Sequence, residues 1–143
     1  MKTSIRTVLL VAILFGVPVS LSSKLASAAE TEVRTVIPGT SAEIWHAIDG
    51  HIAELHGLIA KGTLSTVHQH AYAVRDLVRA LPTHSQGLAA TALAAVSAQV
   101  KFVDTLAVRL DASGDANDKP GTGANLAKLE NILKSIRSQY AAR

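Results

Sequence analysis

The chain has no cysteine. That absence excludes disulfide staples, c-type haem attachment, iron–sulfur clusters and every thiolate metal site. Its one methionine is Met1, so after removal of a leader a methionine-ligated haem or a methionine-rich copper site is excluded too. Aromatic residues make up 3% of the 143, and there are four prolines. The core must therefore be aliphatic, and helices meet few breakers. Past residue 40 there is no alternating run that would mark a strand. There is also no nucleophile elbow, no HExxH and no glycine-rich phosphate loop. The chain is not expected to be an enzyme.

What is present begins with an export signal. Lys2 and Arg6 precede Val8–Val19, an apolar run of 12 residues, and Ala26-Ser27-Ala28 and Ser27-Ala28-Ala29 both fit a small-x-small cleavage site. A leader over 1–29, cleaved after Ala28 or Ala29, sends the mature chain to the periplasm or beyond; Lys24, close to the cut, makes an uncleaved anchor the alternative. The run falls short of the roughly 20 residues that cross a bilayer, so no membrane span is expected after cleavage. Removing Lys2, Arg6 and Lys24 from fourteen basic residues leaves eleven, equal to the eleven acidic ones. A neutral domain lacks the basic stripe that nucleic acid requires. Its six histidines are then the main groups able to change charge between about pH 5 and 8.

Residues 30–40 read as an extended lead-in ending at Pro38-Gly39, and 41–143 as one helical domain. Thr40 to Glu43 is a capping box. Ile44, Ile48, Ile52, Leu55 and Ile59 then follow helical spacing, and Gly62 supplies a left-handed stop. A second helix carries Leu64, Val67, Ala71, Val74, Val78 and Leu81 inward and stops at Pro82. The third is predicted from about Ser85 to Ala112, with Leu88, Ala92, Val96, Val103, Leu106 and Leu110 inward. A polar turn is predicted over 113–121. A fourth helix buries Leu126, Leu129, Leu133, Ile136 and Tyr140. Helices of this length on short turns predict an all-α, antiparallel up-down-up-down four-helix bundle that folds without metal.

Histidine placement carries the functional expectation. His46, His51 and His56 are five residues apart, about 140° of turn at each step, so they spiral around the helix and form no stripe. His46 points away from the apolar face. A turn at Gly62-Thr63 sets His56 level with His68, both displaced to the same rotational side of their own apolar faces. Equal sense means that both rings point into the shared seam or both point out of it. His51 and His70 share the opposite sense but are out of level by this count. His56 with His68 is thus the leading metal pair, and His51 with His70 the weaker. Imidazole suits Cu(II), Zn(II) and Ni(II). Two rings do not close a site of three or four ligands, so water, Asp49, Glu54 or a second chain in a homodimer would have to complete it. The plain alternative leaves the rings flanking the core, bonded to water or Tyr72.

Other motifs carry less. Arg75 and Asp76 read as local or interhelical ion pairs, each below about 1 kcal/mol. Asp111, Ser113, Asp115 and Asn117 have the oxygen spacing that opens a calcium loop. The glycine is displaced to Gly114, however, and Thr122 stands where a bidentate glutamate belongs, so a polar turn is the better reading. Trp45 reads as a core or end-cap aromatic.

The stretches Val67-His68-Gln69-His70-Ala71-Tyr72-Ala73-Val74-Arg75-Asp76-Leu77, Ala80-Leu81-Pro82 and Val100 to Asp115 carry a resemblance. Over about residues 41–140 the chain resembles small exported helical proteins encoded beside heavy-metal efflux systems of Gram-negative bacteria. His68, Arg75 and Asp76 match that pattern. The resemblance implies a soluble periplasmic metal buffer or carrier, partnered with an efflux system or another envelope protein. A metal-free helical adaptor of the envelope is the alternative, and it predicts an exposed apolar patch.

Overall fold

The structure, a computed structural model, describes residues 34–141. The leader expected over 1–29 and the first part of the lead-in lie outside the described residues. Four α-helices follow: α1 (Ser41–Lys61), α2 (Val67–Ala80), α3 (Ala90–Asp115) and α4 (Lys119–Ala141). Short 3₁₀ turns at Leu64–Thr66 and Leu81–His84 flank α2. Among the described residues there is no strand. Helix α1 packs on α2 and α4, α2 on α3, and α3 on α4. The expected all-α class, with four helices packed on one another, is what the chain adopts.

The ends of α1 form as their residues dictate. Thr40 Oγ1 accepts the Glu43 backbone N–H at 3.3 Å, and Glu43 Oε2 accepts the Thr40 N–H at 3.1 Å. These two bonds satisfy donors that a helix start would otherwise leave orphaned. At the other end Gly62 takes φ +74°, a left-handed value that residues with a Cβ avoid. The apolar periodicity is spent on one core. Ile44, Ile48 and Leu55 of α1 meet Val67, Ala71, Val74, Leu77 and Val78 of α2, with Val103, Leu106, Leu110, Leu126, Leu129 and Ile136 from α3 and α4. Burying each of the Val, Leu and Ile side chains is worth about 1.5–3 kcal/mol.

Helix α3 departs from expectation at both ends. It starts at Ala90 rather than near Ser85. Gly87 takes φ +90°, and the buried Ser85 hydroxyl is held by Leu81 O and by Tyr140 Oη. A helix cannot run through that backbone. At its far end α3 continues through Gly114 to Asp115, where a turn was expected. Gly114 is buried. A Cβ at that position would come within 3.1 Å of Leu64 O and 3.2 Å of Val67 Cβ, so the glycine permits close packing and does not break the helix. The true turn is only Ala116–Asp118, with Asn117 at φ +52°. Helix α4 accordingly begins at Lys119, inside the range expected as a turn: Asp118 Oδ1 accepts the Gly121 N–H at 3.0 Å, and Pro120 sits in the first turn, where its missing N–H costs nothing.

By length and composition α3 is apolar enough to cross a membrane. It also contributes Val96, Val103, Leu106, Ala107 and Leu110 to the buried core.

Candidate metal centre

The tight contact at Gly114 sets the geometry of the first site. It seats the last turn of α3 on the start of α2, which brings Asp111 and Asp115 alongside His68. Spaced by four, the two carboxylates stack on one helical face. One ligand atom from each of His68, Asp111 and Asp115 lies within 4.8 Å of the others. His68 and Asp111 are half-buried and Asp115 is exposed. Ligands on one ion at about 2.0–2.2 Å sit roughly 3–4 Å apart, so these side chains must draw in by about an ångström to share it. One imidazole and two carboxylates give three protein donors with a position left open, and two negative charges to balance a divalent ion.

Tyr72, one turn beyond His68, holds this group in place. Its hydroxyl donates to Asp111 Oδ2 at 2.6 Å, while the Arg75 guanidinium lies 4.5 Å over its ring. The bond to Asp111, then burial, pushes the Tyr72 phenol up to about 12. Arg75 also pairs with Asp76 at 2.8 Å, and Arg79 reaches Asp104 of α3 at 2.8 Å. The pair expected of Arg75 and Asp76 is therefore present as a local one, and the bridge between helices is made by Arg79, which the expectation did not include.

A second histidine site lies between α1 and α2. His51 Nδ1 is 3.0 Å from His70 Nδ1, with ring centroids 5.3 Å apart and planes tilted by 58°. Burial, then the neighbouring His70, lowers the pKa of His51, while Glu54 opposes that shift. At this distance one Nδ1 carries a proton and the other offers a lone pair. Beside the pair is a pocket of about 340 Å³ that also touches Thr35, Val36 and Gln69.

The two rings of the leading sequence pair take separate partners. His56 Nε2 sits 2.8 Å from Glu130 Oε1 of α4 with its side chain 57% exposed, and His68 faces α3. The weaker pair, His51 and His70, is the one in direct contact. Equal rotational sense allowed both rings to point into the α1–α2 seam or both out of it, and the packing of α3 and α4 takes the outward solution for His56 and His68. The register count also assumed a two-residue turn, whereas a 3₁₀ turn over Leu64–Thr66 intervenes. Asp49, named as a third ligand, pairs with Arg137 at 2.6 Å. His46 is exposed, and His84 donates from Nδ1 to Gly39 O at 3.0 Å.

Asp111 and Asp115 were missed as partners of His68. Their i, i+4 spacing is a legible signal, hidden because a polar turn over 113–121 takes Asp115 out of the helix. Trp45 is 9% exposed, edge-on to Tyr140 at 5.7 Å and under the Arg137 guanidinium at 4.4 Å, as a core aromatic should be. Among the described residues the exposed large hydrophobics are Val36, Ile37, Phe102 and Val108. Phe102 and Val108 stand about 120° apart around α3 and so share no face. Compared with protein-family models, with curated proteins and with solved structures, the chain matches none.

Proposed function

We propose that this chain is an exported, soluble metal-binding protein of the periplasm. Its leader is cleaved after Ala28 or Ala29, and its four helices run up-down-up-down. It acts as a reversible buffer or carrier for a borderline divalent ion of the Cu, Zn or Ni type, working beside a heavy-metal efflux system or another envelope partner. The single observation that carries this reading is the convergence of His68, Asp111 and Asp115 within 4.8 Å. His68 keeps its expected role, and the carboxylates of α3 take the place given to His56. A mixed nitrogen and oxygen set with one open position suits Zn(II). The exposure of Asp115 leaves the ion a route in and out, as exchange requires.

The test is calorimetric titration of purified, tag-free protein with Zn(II), beside the Asp111→Asn/Asp115→Asn double variant. Zn(II) should bind the parent protein in the micromolar range or tighter, and the double variant at least about tenfold more weakly. Binding no tighter than millimolar, or an unchanged affinity in the double variant, overturns the site. Mass spectrometry of protein recovered from the periplasm of a Gram-negative host tests the leader. A chain beginning at Ala29 or Glu30 supports export, and a chain retaining Met1 in the cytoplasm overturns it.

A further inference from the structure

We infer that His51 and His70 form a second, separate metal site, a tetragonal Cu(II) site in which the two imidazoles occupy neighbouring positions. The inference goes beyond the Zn(II) reading and does not depend on it, because the two sites share no residue.

The geometry favours one class of ion. Metal–nitrogen bonds of about 2.0–2.1 Å reaching two nitrogens 3.0 Å apart subtend about 95° at the ion. That is the angle between adjacent ligands in a square-planar or tetragonal complex, the arrangement typical of Cu(II). Tetrahedral zinc, at about 109°, would need the nitrogens roughly 3.3 Å apart. With the rings as they stand, the spacing is nearer that of adjacent ligands on a tetragonal ion than that of ligands on tetrahedral zinc.

The surroundings allow the ion to enter. In the contact between the rings, one Nδ1 lone pair already points at the other ring. Turning each ring by up to about 40° aims both lone pairs at one point beside the contact. If the donor ring moves its proton from Nδ1 to Nε2, both rings remain neutral ligands. The adjoining pocket of about 340 Å³ has room for the waters that would fill the remaining positions. Thr35 and Gln69, polar residues able to bond those waters, line it together with Arg34. Glu54 lies one turn along α1 from His51 and acts on it electrostatically, adding negative potential near a cation. The helices fix the two rings: α1 and α2 hold Ile48, Leu55, Ala71 and Val74 in the core on either side of them. The site is thus preorganised to within a ring rotation.

Electron paramagnetic resonance of Cu(II) added to the tag-free protein tests this. A tetragonal spectrum coupled to two nitrogens is expected, and it should persist in Asp111→Asn/Asp115→Asn. His51→Gln and His70→Gln should each reduce the coupling to one nitrogen and weaken Cu(II) binding by about 10–100-fold. Nitrogen coupling unchanged by both glutamine variants overturns the pair, and so does a copper signal lost in the aspartate variant. In the unmutated protein, Cu(II) should broaden the ring resonances of His51 and His70 before those of His68, whatever the stability of any variant. The reverse order overturns the inference. Loss of zinc binding with the two-nitrogen copper signal intact counts only against the Zn(II) reading. Zinc binding without that signal counts only against this one.

Discussion

Two histidines of one helix face two different neighbours. His68 and His70 are two residues apart, about 200° around α2, so one faces the last turn of α3 and the other faces α1. On the α3 side the backbones touch at Gly114, two carboxylates converge, and Tyr72 bonds one of them at 2.6 Å. On the α1 side His70 meets a single imidazole, that of His51, and an open pocket adjoins the pair. The comparison teaches that the helix packed against a histidine, and not the histidine, sets which donors surround it. One side offers carboxylate oxygens and the other a second imidazole nitrogen, the donor sets we propose for zinc and for copper.

The largest effect should come from forcing apart the tighter contact. Gly114→Leu places a side chain where Leu64 O and Val67 already stand, and should destabilise the domain by about 1–3 kcal/mol. Gly50→Ala, beside His51, meets nothing within 4 Å and should stabilise α1 by about 0.5–1 kcal/mol. Urea denaturation of both variants measures the contrast. Equal effects would mean that Gly114 is packed no more tightly than an exposed helix position.

A smaller effect separates the sites by pH. Tyr72 is held at about 12 in the folded chain against an ordinary 10.0. An acid raised on folding favours its neutral form in the native state. Its contribution is therefore fully present below about pH 10 and is lost as pH rises toward 12. Tyr72→Phe should remove this alkaline loss and cost about 1 kcal/mol at neutral pH. It should leave the two-nitrogen copper spectrum of His51 and His70 unchanged. Denaturation midpoints across alkaline pH, followed for both proteins, decide the point.

The smallest effect belongs to His56, whose side chain is 57% exposed beside Glu130. His56→Ala should change stability by no more than about 0.5 kcal/mol and leave both zinc and copper titrations as they were. A tenfold loss of either affinity would return His56 to the metal site and count against the division drawn here.

Local chemistry determined much of this protein by sequence alone. Thr40 with Glu43 caps α1 and Gly62 ends it, because a cap depends only on residues a few positions apart. The apolar faces of the four helices were legible for the same reason, since 3.6-residue periodicity is a property of each helix by itself. The ends of α3 were not. Gly114 reads as a breaker in isolation, and only the closeness of Leu64 and Val67 reveals a glycine used for close packing. The histidine partners were likewise undetermined. Helical phase gives each ring a direction around its own axis, with two mirror choices for the pair, and the positions of α3 and α4 select between them. That selection is made by burial of the whole core, a sum over residues far apart in the chain, so it belongs to the tertiary structure alone.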